Sequence, residues 1–120
     1  MKKILVIEDD DLIRKLICAC IRKHGYTAIE ASNGIEGIEQ AEEKLPDLIL
    51  SDIMMPKIDG IQVIKILKDN QITSNIPVII ITSSPIFESK QYCMNLGAVG
   101  YLVKPITKEA INLLLEKHLT

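Results

Sequence analysis

Five short runs rich in β-branched and aliphatic residues alternate along the chain with five helical patterns, and the second run, at 27–31, is the weakest. A continuous apolar run is typical of a strand that is covered on both faces. Strands that alternate with helices predict a parallel sheet, and right-handed crossovers then place helices on both of its faces. The sequence therefore predicts an α/β fold in three layers, built from five strand–helix units.

The expected elements can be located along the chain from apolar runs, caps and breakers. The strands are predicted at residues 4–7, 27–31, 48–50, 78–81 and 99–103. The first helix is predicted at 12–21, with Gly25 as its stop, and the second between a cap at Asn33 and Pro46. The third is predicted at 61–67 and the fourth at about 85–96, with Gly97 as its stop. The fifth is predicted to follow a cap at Thr107.

Apolar residues at helical spacing predict which side of each helix is buried. In the first helix the predicted stripe consists of Ile13, Leu16, Ile17, Cys20 and Ile21. In the second helix it consists of Ile35, Ile38, Ala41 and Leu45, and in the last helix of Ile111, Leu114 and Leu115.

Length, charge and composition limit the class of protein. The 120 residues suit one domain over 1–120, since domains most often have about 100–150 residues. The net charge is −2 and aromatic residues make up 3%, which argues against phosphate-backbone binding and base stacking. No segment approaches the roughly 18 apolar residues of a membrane span. The three cysteines fit reduced thiols, so we expect a cytoplasmic protein with no direct nucleic-acid or membrane partner.

Polar residues of different kinds follow four of the five predicted strands. The first strand is followed by Glu8 and Asp9, the third by Asp52, the fourth by Thr82 and the fifth by Lys104. In an open parallel sheet, ligands bind beyond the carboxyl ends of the strands, where the strand order reverses. The sequence therefore predicts one site that combines acids, a hydroxyl group and an ammonium group.

The acids of this predicted site need an explanation beyond helix capping. Asp10 or Asp11 can cap the first helix, but capping does not explain Asp52, which follows a buried strand. If the first and third strands are neighbours, the carboxylates of Glu8, Asp9 and Asp52 repel one another, and protonation or a cation must relieve the repulsion. Oxygen ligands with waters remaining suit Mg²⁺.

Several segments together resemble the receiver domain of two-component response regulators. They are ILVIEDD at 4–10, DLILSDIMMP at 47–56 with Asp59-Gly60, Thr82, and Lys104-Pro105. The resemblance extends over essentially the whole chain, and the segment from Asp52 to Gly60 is its most specific part. It implies a flavodoxin-like (βα)5 fold with strand order 2-1-3-4-5, which puts the first and third strands side by side.

The resemblance also implies roles for the residues of the site. Asp52 would be the phosphoacceptor, taking a phosphoryl group from a phosphohistidine of a histidine kinase or a histidine phosphotransfer protein. Mg²⁺ would be bound by Asp9, Asp52 and the backbone carbonyl of Met54, and by Glu8 through a water. Lys104 would neutralise charge on the opposite side of the phosphoryl group.

A second set of implied roles concerns switching. Thr82 would turn toward the phosphoryl oxygens, and Tyr101 is either an aromatic switch residue that moves with Thr82 or an ordinary strand tyrosine. The resemblance also implies a cis Lys104-Pro105 bond. Whatever the function, Gly60 fits a turn that needs a positive φ. The face formed by the fourth helix, fifth strand and fifth helix would then contact a downstream protein or a second copy of the chain.

Two other functions are compatible with parts of the sequence. Asp9-x-Asp11 after a first strand resembles the nucleophile motif of haloacid-dehalogenase-like phosphatases, but that reading leaves the Asp52–Gly60 segment without a role. A domain that only docks would not need the acids, Thr82 and Lys104 together. We therefore expect a signalling switch that takes part in its own phosphorylation and dephosphorylation and is not an enzyme acting on other substrates.

Overall fold

In the computed structural model, the described residues are 1–83 and 87–119, with residues 87–89 described by their backbone only. The strands are β1 (Lys3–Ile7), β2 (Thr27–Ala31), β3 (Leu48–Asp52), β4 (Val78–Thr82) and β5 (Gly100–Val103). The helices are α1 (Asp11–Lys23), α2 (Gly34–Lys44), α3 (Gly60–Asp69), α4 (Phe87–Asn95) and α5 (Lys108–Leu119). The predicted start of the fourth helix at Pro85 lies outside the described residues.

The five strands form one parallel sheet in the order β2-β1-β3-β4-β5. This confirms the predicted flavodoxin-like order, with β1 and β3 adjacent. Successive strand residues point to opposite faces, so that Ile4 and Val6 pack against α1 and α5 while Leu5 and Ile7 pack on the other side of the sheet, with α2 and α3. The sheet is therefore covered on both faces, as its continuous aliphatic runs predict.

Side-chain caps fix where several helices begin. The Asp10 carboxylate accepts a hydrogen bond from the Ile13 amide at 3.0 Å, and the Asn33 side chain accepts one from the Glu36 amide at 2.8 Å. Thr107 accepts from the amide of Ala110 at 3.1 Å. Such caps satisfy amides that lack partners within the helix, and they confirm the predicted capping roles of Asp10, Asn33 and Thr107.

The buried side of α1 differs from the predicted stripe. Leu16 is 62% exposed, so its predicted burial is wrong. The buried residues of α1 are Arg14, Ile17, Cys18 and Ile21, at the i, i+3, i+4, i+7 spacing of one helix face. The apolar pattern does not identify this face correctly because one of its four buried positions is occupied by Arg14.

The prediction for α2 is also wrong in part. Ile35 and Leu45 are 44% and 50% exposed, whereas Gly34, Gly37 and Ala41 are buried. A Cβ atom on Gly37 would lie 2.4 Å from the Cδ1 atom of Ile7. The helix therefore packs its backbone closely against β1, and small residues rather than the isoleucine and leucine face the sheet.

Two smaller predictions from composition can be compared with the structure. Cys18 and Cys93 are buried and Cys20 is partly exposed, and all three are free thiols. Burial raises the pKa of the Cys18 thiol to about 11. Among the described residues, no helix is both long enough and apolar enough to cross a membrane.

Candidate functional site

Three carboxylates from two adjacent strands meet at the carboxyl edge of the sheet. Because Ile7 of β1 pairs with Ser51 of β3, Glu8 and Asp52 follow at equivalent positions of neighbouring strands. Each of Glu8, Asp9 and Asp52 has a carboxylate oxygen within 4.8 Å of the other two. Glu8 and Asp52 are 1% and 4% exposed, while Asp9 is open to solvent. The predicted acidic site is thus assembled by the strand order.

Lys104 lies between the two buried acids. Its ammonium group donates hydrogen bonds to Glu8 Oε1 and, at 3.2 Å, to Asp52 Oδ2. Its backbone amide donates to the Thr82 carbonyl at 2.7 Å, and the Lys104-Pro105 peptide bond is cis. Burial lowers the pKa of the Lys104 ammonium group, but the Glu8 hydrogen bond and the Asp52 charge outweigh burial and raise the pKa above its ordinary value.

Among the described residues, Lys104 is the only cation that pairs with the carboxylates of the cluster, and its one charge does not neutralise all three. Although Asp9 is mostly exposed, loss of solvent around its carboxyl group raises its pKa, and the neighbouring Glu8 carboxylate adds to the rise. Three acids against one ammonium leave an excess of negative charge at this point. Such an excess favours the binding of a cation.

The donor set fits Mg²⁺ better than a softer metal. All three acidic side chains offer hard oxygen atoms, and Asp9 is exposed, so that bound waters have room to remain. Met54 lies in the loop after β3, two residues beyond Asp52, with its side chain 66% exposed. Its backbone carbonyl remains a predicted ligand.

Thr82 and Tyr101 lie beside the acidic cluster, on β4 and β5. Thr82 ends β4 and is 1% exposed, one residue beyond the Ile81 that pairs with Asp52. The Tyr101 hydroxyl is shielded from solvent and lies close to the Thr82 side chain, without a hydrogen bond of normal geometry to the described residues. Burial raises the pKa of Tyr101, and the interaction with Thr82 offsets the rise only in part. The two predicted switch residues are therefore neighbours, with the tyrosine hydroxyl directed inward.

Gly60 is required for a reason other than the predicted one. Its φ angle is not positive; within the loop it is Lys57 that has a positive φ, of 72°. A Cβ atom on Gly60 would lie 2.3 Å from the carbonyl oxygen of Asp52. Gly60 thus lets the start of α3 approach the backbone of the predicted phosphoacceptor, and the expectation of a positive φ is wrong.

Arg14 is a residue of this region that the sequence reasoning missed. It is 8% exposed, and its guanidinium group donates to the backbone carbonyl of Glu8 at 2.9 Å. Its position three and four residues before the buried Ile17 and Cys18 is the signal that could have revealed its burial.

Comparisons with known proteins agree with the fold and the site. The response regulator receiver domain family model matches residues 4–116. The polar-differentiation response regulator DivK of Brucella anthropi is 37% identical over 88% of this chain and 86% of DivK. The alkaline phosphatase synthesis transcriptional regulatory protein PhoP of Bacillus subtilis is 37% identical over 92% of this chain, but the match spans only 45% of PhoP.

A solved structure shows the same architecture over nearly the whole chain. The chemotaxis protein CheY4 of Vibrio cholerae superimposes with a TM-score of 0.93 at 29% identity, covering 99% of both chains. The family match, the relatives, the strand order and the acidic cluster beside Lys104 all lead to one assignment. The chain belongs to the response regulator receiver domain family of two-component signalling.

Proposed function

We propose that the chain is a phosphorylation-controlled switch in which Asp52 accepts a phosphoryl group with the help of Mg²⁺. The observation that carries this proposal is the contact between Asp52 and Lys104 inside a pocket of excess negative charge. Burying a carboxylate and its cationic partner costs desolvation free energy, so such a pair adds little to the stability of a fold. Its place at the edge of the sheet where ligands bind supports a chemical role.

The proposed reaction is a transfer between two side chains. An Asp52 carboxylate oxygen attacks the phosphorus of a phosphohistidine on a partner protein, and a P–O bond forms as the P–N bond breaks. The electron pair of the broken bond returns to the imidazole nitrogen, which takes a proton from solvent. The product is an aspartyl phosphate, which water later hydrolyses slowly to the carboxylate and inorganic phosphate.

The residues around Asp52 can stabilise the charge of this transfer. When bound, Mg²⁺ would neutralise phosphoryl charge, held by Asp9, Asp52 and the Met54 carbonyl, with Glu8 acting through a water. Lys104 is already oriented toward Asp52 by its own contacts, so it can donate to phosphoryl oxygens without reorganisation. Positioning and charge neutralisation are what phosphoryl transfer demands.

The proposed output is a change on the α4–β5–α5 face. Thr82 would donate a hydrogen bond to the new phosphoryl group, and Tyr101, which lies close to Thr82, would respond. A cavity of about 420 Å³ lies on this face, lined in part by Met94, Tyr101 and Leu113. Its described lining also includes Lys90 and Lys117 and contains no acid, which favours a downstream protein with acidic side chains over a second copy of this chain.

The phosphatase alternative is less well supported by the site. In that reading Asp9 is the nucleophile and Asp11 is its partner acid. Asp11 instead accepts a hydrogen bond from Arg14 at 2.6 Å and is not a member of the acidic cluster formed by the described residues. Asp52, which that reading does not use, is one of the two acids that contact Lys104.

Intact mass after incubation with acetyl phosphate tests the proposed function. We expect a gain of one phosphoryl group when Mg²⁺ is present and none after chelation or in the Asp52→Asn variant. A gain that is independent of Mg²⁺, or that survives Asp52→Asn, would contradict the proposal. The control is the wild-type protein incubated with Mg²⁺ and without acetyl phosphate, which should keep its unmodified mass.

A second apolar surface lies where a protein phosphodonor would have to approach. A cavity of about 880 Å³ between α1 and α5 is lined by Leu16, Ile17 and Ile106 and extends to Ser83 and Lys104. It is therefore continuous with the site, and Leu16 is 62% exposed at its edge. We propose that the phosphodonor protein occupies this surface.

Replacing Leu16 by glutamate should slow phosphorylation by a phosphorylated histidine phosphotransfer protein about tenfold or more. Removing an apolar side chain that is buried in an interface typically costs about 1–2 kcal/mol or more of binding free energy. The rate with acetyl phosphate should be unchanged, because that donor is too small to need the surface. Ile72→Glu is the control, because Ile72 is 63% exposed and lines neither of the two proposed docking cavities. Equal losses with both donors would argue against a docking role for Leu16.

A further inference from the structure

The buried arginine of α1 joins three parts of the structure around the acidic cluster. Arg14 Nη1 donates to the Glu8 carbonyl at 2.9 Å, Nη2 to Asp11 Oδ1 at 2.6 Å, and Nε to Glu30 Oε1 at 3.0 Å. Its side chain is 9% exposed. The guanidinium group thus connects the end of β1, the first turn of α1 and strand β2 through its rigid fork of donors.

The contact with Glu8 is made to the backbone and not to the carboxylate. The Glu8 carbonyl and the Asp9 amide belong to one planar peptide unit, so holding the carbonyl fixes the orientation of the link between two predicted metal ligands. The Glu8 amide is held from the other side by the Ala31 carbonyl at 3.1 Å. The Asp10 amide donates to Glu8 Oε2 at 3.2 Å, so this turn also orients the Glu8 side chain.

We propose that Arg14 is a positioning residue of the phosphorylation site, which holds the Glu8–Asp9 peptide so that both carboxylates face Asp52. This inference rests on the proposed function and extends it to a residue outside the acidic cluster. Groups that orient metal ligands from outside typically change metal affinity by about 10–100-fold when they are removed.

Positioning and electrostatics predict opposite effects, which makes the inference testable. If Arg14 acted only through its charge, its removal would take a cation away from the acids and would tighten Mg²⁺ binding. If Arg14 positions the ligands, its removal weakens Mg²⁺ binding despite the lost positive charge.

The experiment compares Arg14→Met and Arg14→Lys with Arg22→Met by Mg²⁺ titration, followed by calorimetry or by amide chemical shifts. Arg22 is on the same helix, carries the same charge and also contacts Glu30, at 3.5 Å, but it contacts Ala28 rather than Glu8. We expect the Kd for Mg²⁺ to rise about tenfold or more in Arg14→Met. Arg14→Lys should show a rise as well, because an ammonium group cannot reproduce the three-way fork, and Arg22→Met should show no rise.

Amide hydrogen exchange without Mg²⁺ provides a readout that does not depend on the metal. The Asp10 amide should exchange about tenfold faster in Arg14→Met and in Arg14→Lys than in the wild type, because the turn is no longer held. If Arg14→Met does not fold, Arg14→Lys carries both measurements.

The outcomes separate this inference from the proposed function. A folded Arg14 variant with unchanged or tighter Mg²⁺ binding would overturn the positioning role, even if Asp52 is phosphorylated. A wild-type protein that binds no Mg²⁺ would contradict the proposed metal site. The exchange rate of the Asp10 amide would then decide whether Arg14 holds the turn, and an unchanged rate in the Arg14 variants would overturn that role.

Discussion

Replacing Lys104 by methionine should lower the rate at which acetyl phosphate phosphorylates Asp52 by about a hundredfold or more. Lys104 contacts the predicted phosphoacceptor, with Nζ 3.2 Å from Asp52 Oδ2. A hydrogen-bond donor that is already oriented lowers the activation free energy most where charge develops in the transition state. A hydrated cation from solvent does not replace such a donor. The measurement is the initial rate of mass gain at saturating Mg²⁺.

The control for this prediction must separate catalysis from folding. Removing Lys104 leaves Glu8 and Asp52 buried without their ammonium partner, which typically destabilises a protein by about 3–5 kcal/mol, although Mg²⁺ supplies part of the missing charge. Lys108→Met removes the same charge from an exposed position at the start of α5. A folded Lys104→Met protein with the wild-type rate would rule out the proposed role of Lys104.

Replacing Asp9 by asparagine should raise the Kd for Mg²⁺ at least about tenfold and slow phosphorylation at limiting Mg²⁺. Asp9 is the exposed member of the acidic cluster, and the substitution removes one of its three negative charges. Because Asp9 binds the metal and does not accept the phosphoryl group, a high Mg²⁺ concentration should restore most of the rate. The Kd is obtained from the dependence of the initial phosphorylation rate on the Mg²⁺ concentration.

The same variant discriminates between the two aspartates as nucleophiles. In the phosphatase alternative, Asp9→Asn would abolish phosphoryl transfer at every Mg²⁺ concentration. Asp10→Asn is a matched control, since Asp10 precedes α1 as its cap and asparagine is an equally good cap. Absence of rescue by Mg²⁺ in a folded Asp9→Asn protein would count against the assignment of Asp9 as a metal ligand.

Much of this site follows from sequence because its acids, Thr82 and Lys104 lie at or just beyond the ends of strands. Continuous aliphatic runs identify buried parallel strands, and the residue after such a run is at the edge where ligands bind. Glu8, Asp52 and Thr82 were located in this way. Which strands are neighbours came only from the resemblance to a family, because the apolar runs do not encode strand order.

The predictions that failed concern close packing and buried charge. The burial of Gly34 and Gly37 does not follow from an apolar stripe, because such a stripe favours large apolar residues and predicts burial of Ile35 instead. The need for Gly60 arises from a contact with the Asp52 carbonyl, which depends on the tertiary fold. Arg14 was missed because a charged residue is expected on the exposed side of a helix. Its burial is possible because its guanidinium group is satisfied by hydrogen bonds.

The central claim is that Asp52 carries the phosphoryl group, and chemical mapping of the phosphorylated residue tests it most directly. Borohydride reduces an aspartyl phosphate to homoserine, so the chain can be treated with acetyl phosphate and Mg²⁺, reduced, digested and sequenced by mass spectrometry. Our account predicts homoserine at position 52 and unchanged aspartate at position 9. Homoserine at position 9, with aspartate retained at position 52, would contradict it.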